Sequence, residues 1–152
     1  MKRILVITLS IALLFAMANG ASATSLSLVP TDNVAGPGDS ISLELYINDL
    51  GNFTAPSLGD FDINIAFDSS ALSFTGYTLG SYLGDTSLGE ALDRSSGDLG
   101  GGIVNVREVS LLDTDPTSGP GFTGPYLDDI QPGSFVLATM DFYVDVLALG
   151  DS

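Results

Sequence analysis

Apolar and polar residues alternate along several stretches of the chain, and the alternation is clearest in residues 59–80. The alternating apolar positions at its start are Phe61, Ile63, Ile65 and Phe67. A period of two is that of a β-strand with one face in the core and one in water. Asp68 then begins a polar turn, because short polar side chains bond their own backbone, and a second extended run follows at 72–79. The stretch therefore predicts two consecutive core strands, with the four alternating residues on the inner face.

Further strands are predicted by the same alternation in other parts of the chain. They cover five ranges: 25–29, 40–48, 87–92, 103–112 and 134–146. The parity of 103–112 is mixed, which predicts burial on both faces or a bulge. Glycine, proline and serine fill the intervals, and Pro125 predicts at most one helical turn through Gln131. About seven strands with almost no helix are typical of an all-β fold, here an antiparallel β-sandwich.

The first 23 residues have the layout of a secretory signal peptide. A basic start is followed by an apolar run at 4–17, and an Ala-Ser-Ala triplet ending at Ala23 supplies a cleavage site. The run is shorter than the roughly 20 residues that span a bilayer, so a cleaved leader is favoured over a membrane anchor. The predicted organisation is a signal peptide over 1–23 and one β-sandwich domain over 24–152, secreted and without a stable membrane span. Residues 150–152 resemble the start of another turn, which predicts a sandwich that lacks its last strand.

The charge balance narrows the choice of partners. The chain has 19 acidic and 4 basic residues and a net charge of −15. Such a surface repels phosphates, so nucleic acid and anionic lipid are not expected as partners. A neutral polysaccharide, a divalent cation or a basic protein surface is compatible with it, and so is an acidic surface that serves solubility alone. Cysteine is absent, which excludes disulfides and thiolate zinc sites.

The composition also argues against catalysis. Histidine and cysteine are absent, and the one lysine lies in the predicted leader, so the usual serine, cysteine and lysine nucleophile systems lack their base. A pair of carboxylates, as in glycoside hydrolysis, is the remaining option. The better acid candidates are Glu44, Glu90 and Glu108. No enzyme and no catalytic residue are predicted.

Acidic pairs and tyrosines provide the remaining candidates for ligand binding. Calcium takes six to eight oxygen ligands, often from flexible loops, and the 113–129 loop fits that description best. The acidic residues considered are Asp113, Asp115, Asp128 and Asp129, with other close pairs at Asp60/Asp62 and Asp93/Asp98. No cofactor is predicted, and a calcium ion in this loop is the alternative. Sugar stacking would use tyrosines, which equally suit the rim of a core: Tyr46, Tyr77, Tyr82, Tyr126 and Tyr143.

Four segments together carry a resemblance to a known family. They are GDSISLELYINDLG, FDINIAFDSSALSF, VREVSLLD and LDDIQPGSFVLATMDF. The chain resembles the cohesin-like domain of bacterial exported proteins that usually end in a PEP-CTERM sorting signal, over about residues 25–151. The resemblance implies a jelly-roll sandwich related to carbohydrate-binding modules, and export from a Gram-negative bacterium to its surface or matrix. It also implies a protein partner, since cohesins bind dockerin modules through a sheet face. The sorting motif itself is missing from the chain.

The sequence as a whole predicts a secreted, non-catalytic interaction or scaffolding domain at the cell surface or in the extracellular matrix. Its partner would be a dockerin-like or other surface protein. The alternative is a carbohydrate-binding module for exopolysaccharide. A glycosidase that uses two carboxylates is the third hypothesis.

Overall fold

The computed structural model describes residues 23–31, 34–117 and 124–145. The predicted leader, apart from Ala23, and the predicted final turn lie outside these residues, so both stay predictions. The described residues form eight strands and a single helical turn. The elements are β1 Ser25–Pro30, β2 Ser40–Asn48, β3 Asp60–Ala66, β4 Leu72–Leu79, β5 Ala91–Asp93, β6 Gly97–Gly100, β7 Ile103–Ser110, α1 Leu127–Ile130 and β8 Phe135–Val144.

The strands form two antiparallel sheets. One has the order β1-β2-β8-β4, and the other has the order β3-β7-β5, with β6 also paired to β7. Because β3 pairs with almost the whole of β7, β5 and β6 lie end to end on the opposite edge of β7. The predicted all-β sandwich is therefore confirmed, with β4 and β5 at the edges of their sheets.

The core lies between the two sheets and is built from the alternating apolar positions. Phe61 and Ile65 are buried on the inner face of β3, and Ile63 and Phe67 pack against the same cluster, as the alternation predicts. Phe142 of β8 is fully buried at its centre, where the ring of Phe67 meets it edge-on at a centroid distance of 5.1 Å. Such pairs add about 1 kcal/mol to the burial of their apolar area.

The alternation predicted for residues 134–146 is wrong at its start. A register shift falls where Leu45 pairs with Ala138 and Tyr46 pairs with Val136, so Leu137 is an extra residue on β8. Leu137 is buried, and so is Phe135 rather than Val136. A bulge of this kind inserts one residue and reverses the parity of the positions before it.

The strand predicted at 87–92 is also displaced. Residues 86–89 form a turn, and the strand begins only at Ala91. The short strand β6 was not predicted, because its two glycines give no alternation. Both β5 and β6 form because they pair with β7, which is distant in sequence. The local alternation of apolar and polar residues does not determine where these strands begin and end.

Candidate binding surfaces

Polar side chains form a bonded network on the outer face of the β3-β7 pair. The register places Asp62 opposite Arg107 and Asn64 opposite Asn105. The Asn105 amide donates to Oδ1 of Asp62 at 2.8 Å and to Oδ1 of Asn64 at 2.9 Å, and its own oxygen accepts the N–H of Ser96 at 3.0 Å. We call these five residues the polar face. Since Asn105 is buried and each end of its amide is engaged, its hydrogen bonds fix the arrangement of the network.

The polar face also carries positive charge, which is scarce in this chain. Arg107 lies 3.5 Å from Asp62, with both side chains about half exposed, and an exposed pair of this kind adds little to stability. The backbone N–H of Arg94 donates to the carbonyl of Arg107 at 2.9 Å. These two arginines are the basic residues of the described part of the chain, and this hydrogen bond joins their backbones.

Exposed apolar side chains lie at one end of the same sheet. Ile103 begins β7 and is 39% exposed, and Leu99 on the adjoining β6 is 53% exposed. A flat polar patch with apolar side chains beside it matches the mixed composition of protein–protein interfaces. The sequence pattern identifies Asp62 as a member of an acidic pair but does not identify Asn64, Asn105 and Arg107, because only the register of β3 and β7 brings these residues together.

A groove of about 680 Å³ opens between the edges of β4 and β5. Its lining consists of Phe74, residues 76–81, residues 84–86 and Asp93. The Tyr77 hydroxyl donates to Oδ2 of Asp93 at 2.8 Å, which links the two sheets across the groove. We call this feature the edge groove, and its volume lies within the usual range for binding pockets.

Asp93 is held as an anion in the edge groove. Partial burial acts to raise its pKa, but hydrogen bonds from the backbone N–H and hydroxyl of Ser95 and from the Tyr77 hydroxyl outweigh this effect. The pKa of Asp93 therefore lies below its usual value. The backbone N–H of Ser95 donates to its Oδ1 at 2.9 Å. Asp98, the other member of the acidic pair Asp93/Asp98, does not line the edge groove. Its carboxylate accepts the N–H of Gly100 in a local turn.

Glu108 lies next to Asp93 inside the sandwich. The register pairs it with Asp93 on one side and with Phe61 on the other, and it is fully buried. Neither carboxyl oxygen has a hydrogen-bond partner within the described structure. Burial raises the pKa of Glu108 to about 7, and the negative charge of Asp93 acts in the same direction. Glu108 occupies a core position, so it interrupts the alternation of apolar and polar residues over 103–112. The mixed parity of that range is the sign of this residue in the sequence.

The two carboxyl groups have pKa values displaced in opposite directions, as acid–base pairs in enzymes do. However, the oxygens of Glu108 are occluded and do not line the edge groove. A substrate in the groove would not reach them. Glu90, another acid candidate, accepts the backbone N–H of Asp85 at 2.9 Å and so holds a turn. Glu108 and Glu90 are therefore not placed to act together on a substrate in this groove.

No calcium site is found among the residues that the structure describes. No group of three or more acidic side chains within them is placed to hold a metal ion. The ends of the candidate loop are instead paired by their backbones: the N–H groups of Leu127 and Asp128 donate to the carbonyls of Asp113 and Thr114, each at 3.0 Å. Residues 118–123 of that loop lie outside the described residues, so calcium binding stays a prediction.

Three of the five candidate tyrosines have contacts or positions that the structure defines. Tyr46 donates its hydroxyl to Glu44 at 3.0 Å, and Tyr82 packs on the ring of Phe135 at 5.0 Å. Tyr143 is exposed but pairs with Ser40, so it lies six residues from Tyr46 along β2, or about 20 Å at the usual rise per residue.

The fold is shared by solved cohesin domains. The second type II cohesin of the scaffoldin ScaA of Acetivibrio cellulolyticus has a TM-score of 0.57 at 17% identity, over 84% of this chain and 67% of that one. The sixth cohesin of scaffoldin B of the same organism, solved with a dockerin, has a TM-score of 0.54 at 17% identity, over 86% and 77%. CaCohA2 from Clostridium acetobutylicum has a TM-score of 0.52 at 19% identity, over 82% and 66%.

These similarities establish a cohesin-type sandwich, and at such identities they establish the fold alone. The chain spans 66% of the CaCohA2 chain, about two thirds. No protein-family model and no curated protein matches the chain in sequence. Within the described residues, no helix has the length and apolar character to cross a membrane.

Proposed function

We propose that the chain is a non-catalytic protein-binding domain that recruits a dockerin-like partner through its polar face. The fold supports this, because cohesins of the same architecture have been solved in complex with dockerins. The predicted signal peptide supports a role outside the cytoplasm, at the cell surface or in the extracellular matrix. The missing histidine, cysteine and lysine bases of the mature chain support a binding role over a catalytic one.

The observation that carries the proposal is the position of the two arginines. In a chain with 19 acidic residues, Arg94, which directly follows β5, is joined to Arg107 of β7 by a backbone hydrogen bond. The two arginines therefore offer a site for an acidic group of the partner. Arg107 loses little on leaving its exposed pair with Asp62. Opposite charges at an interface fix its register and exclude wrong partners.

The proposal is tested by comparing partner binding by two variants that have the same net charge. We expect Arg107→Gln to weaken binding of a dockerin module by about tenfold, because it removes a charged contact at the centre of the face. Thr75→Asp on the exposed side of β4 makes the same change in net charge away from this face and should bind as the wild type does. Isothermal titration calorimetry against a panel of dockerin modules provides the measurement.

A second experiment tests the proposal when no dockerin in the panel binds. Crosslinking mass spectrometry against the secreted proteins of the source bacterium should place crosslinks at the polar face. Crosslinks confined to other surfaces would contradict the proposal. Binding on a glycan array without any protein partner would favour the carbohydrate-binding alternative.

A further inference from the structure

The edge groove lies between two strands that have unused edges. Among the described strands, β4 pairs only with β8, and β5 pairs only with β7. Gly76 lies at a bulge in β4, and a Cβ built on it would meet nothing within 4 Å. A glycine inside a strand often marks a place where another backbone approaches closely. The groove therefore offers an open strand edge to an incoming extended chain.

Negative charge is concentrated on the opposite wall of the groove. Asp93 and Asp85 line it, and Glu108 lies buried beside Asp93 without a hydrogen-bond partner. The ion pair found in the described structure joins Arg107 to Asp62, away from the groove. A buried carboxyl group without a partner is costly, and a cation close to Asp93 would offset that cost.

We propose that the edge groove binds an extended segment of a partner protein, with its backbone along the free edge of β4 and a lysine or arginine side chain on Asp93. Strand addition gives affinity through main-chain hydrogen bonds, and specificity through pockets for alternate side chains. The acidic wall selects the cationic side chain by charge. This site is separate from the polar face and does not depend on the proposed dockerin binding.

A protein segment fits this groove better than a free cation does. A metal ion would need several converging oxygen ligands, and no acidic group of three is present in the described residues. A small amine would pair with Asp93 but would leave the edge of β4 unpaired. Both parts of the groove are used only when the cationic group belongs to an extended chain.

The proposal is tested by nuclear magnetic resonance with the ¹⁵N-labelled protein. The probe is the blocked pentapeptide Thr-Val-Lys-Val-Thr, and its matched control replaces lysine with norleucine. We expect the lysine peptide to shift the amide signals of residues 76–81, 84–86 and 93, and to bind about tenfold more tightly than the norleucine peptide. Asp93→Asn should remove that preference, whereas Asp98→Asn, with the same loss of charge on β6, should keep it.

Three outcomes would overturn the proposal. One is equal binding of the lysine and norleucine peptides. Another is an equal response to N-acetyl-lysine methylamide, which would assign the site to a small cation. The third is the absence of shifts in the groove up to millimolar peptide.

Glu108 provides a second readout that a merely structural role would not move. A cation close to Asp93 lowers the pKa of Glu108, so binding near pH 7 should release protons. Calorimetry in buffers of different ionisation enthalpy measures this release, and we expect Glu108→Gln to abolish it while the peptide still binds. Binding without any proton release by the wild type would show that the cation is not near Glu108, and would overturn its placement on Asp93.

Discussion

Glu108 occupies a position where β7 otherwise directs valines to the core. Val104 and Val106 precede it on the same inner face, and all three are fully buried. A carboxyl group at such a position keeps its proton to a higher pH, because burial disfavours the charged form. The pKa of Glu108 accordingly rises to about 7, which makes this residue sensitive to pH near neutrality.

The free energy of unfolding should depend on pH because of Glu108. The folded state holds the Glu108 proton up to about pH 7, whereas the unfolded chain releases it near 4.5. Between these values the folded state binds more protons, so the contribution of Glu108 to the free energy of unfolding falls as pH rises. We expect Glu108→Gln to be more stable than the wild type at pH 8, by on the order of 3 kcal/mol, and to differ far less at pH 4.5. Urea unfolding at the two pH values measures this difference.

The matched control for that comparison is Glu44→Gln, on the outer side of β2. Glu44 accepts the Tyr46 hydroxyl at 3.0 Å, so this variant makes the same chemical change outside the core. An equal stability difference between Glu108→Gln and the wild type at both pH values would contradict the assignment of the pH dependence to Glu108.

At the scale of elements, strands and loops differ in how far the sequence predicts them. The ranges 40–48 and 72–79 match β2 and β4 residue for residue, because alternation with one buried face fixes both the type and the register of a strand. The turns follow a local rule that was applied only at Asp68. Five aspartates accept the N–H of the residue two positions later: Asp68, Asp85, Asp93, Asp98 and Asp115. Applied throughout, this rule would have identified the turn that displaces the strand predicted at 87–92.

Gln131 shows why the loops as a group could not be predicted. Its side-chain amide accepts the N–H of Leu58 at 2.7 Å and donates to the carbonyls of Leu58 at 2.7 Å and Tyr82 at 3.0 Å. Its backbone carbonyl accepts the N–H of Phe53 at 2.9 Å. One buried side chain thus forms hydrogen bonds to two loops that are distant in sequence. No local sequence pattern predicts such contacts.

We expect Gln131→Leu to destabilise the fold by about 3 kcal/mol. The substitution keeps a similar volume but removes three hydrogen bonds and leaves the partner groups of Leu58 and Tyr82 without a replacement. Urea unfolding at pH 7 measures the change. Asn52→Ala is the control, since the Asn52 side chain accepts an exposed hydrogen bond of 3.2 Å from the N–H of Gly133, and its loss should cost less than about 1 kcal/mol. A Gln131→Leu variant as stable as the control would contradict this role.

At the scale of the whole molecule, the fold class was predictable and the binding surfaces were not. Alternation and turn composition identify a sandwich because they depend on neighbours in sequence. The polar face depends on the register of β3 and β7, and the edge groove depends on two strands of different sheets. Asp62 and Asp93 were noticed only as members of acidic pairs. Their partners Asn105 and Tyr77 come from other strands, which explains why the chemistry of both surfaces was missed.

The net charge of −15 is the property of the whole chain with the most general consequence. Like charges held together in a compact state repel one another, and salt weakens that repulsion as the screening length falls from about 30 Å at 0.01 M to about 3 Å at 1 M. We expect the melting temperature at pH 7 to rise when sodium chloride is increased over this range, and differential scanning calorimetry measures it.

Two comparisons separate this effect from others. At pH 3.5, where many carboxylates are protonated, the rise with salt should be smaller than at pH 7. Calcium chloride at low millimolar concentration should match sodium chloride of equal ionic strength if screening alone acts, whereas an additional rise would show that the protein binds calcium. A melting temperature that falls or stays constant with sodium chloride at pH 7 would contradict a net repulsion among the acidic residues of the folded protein.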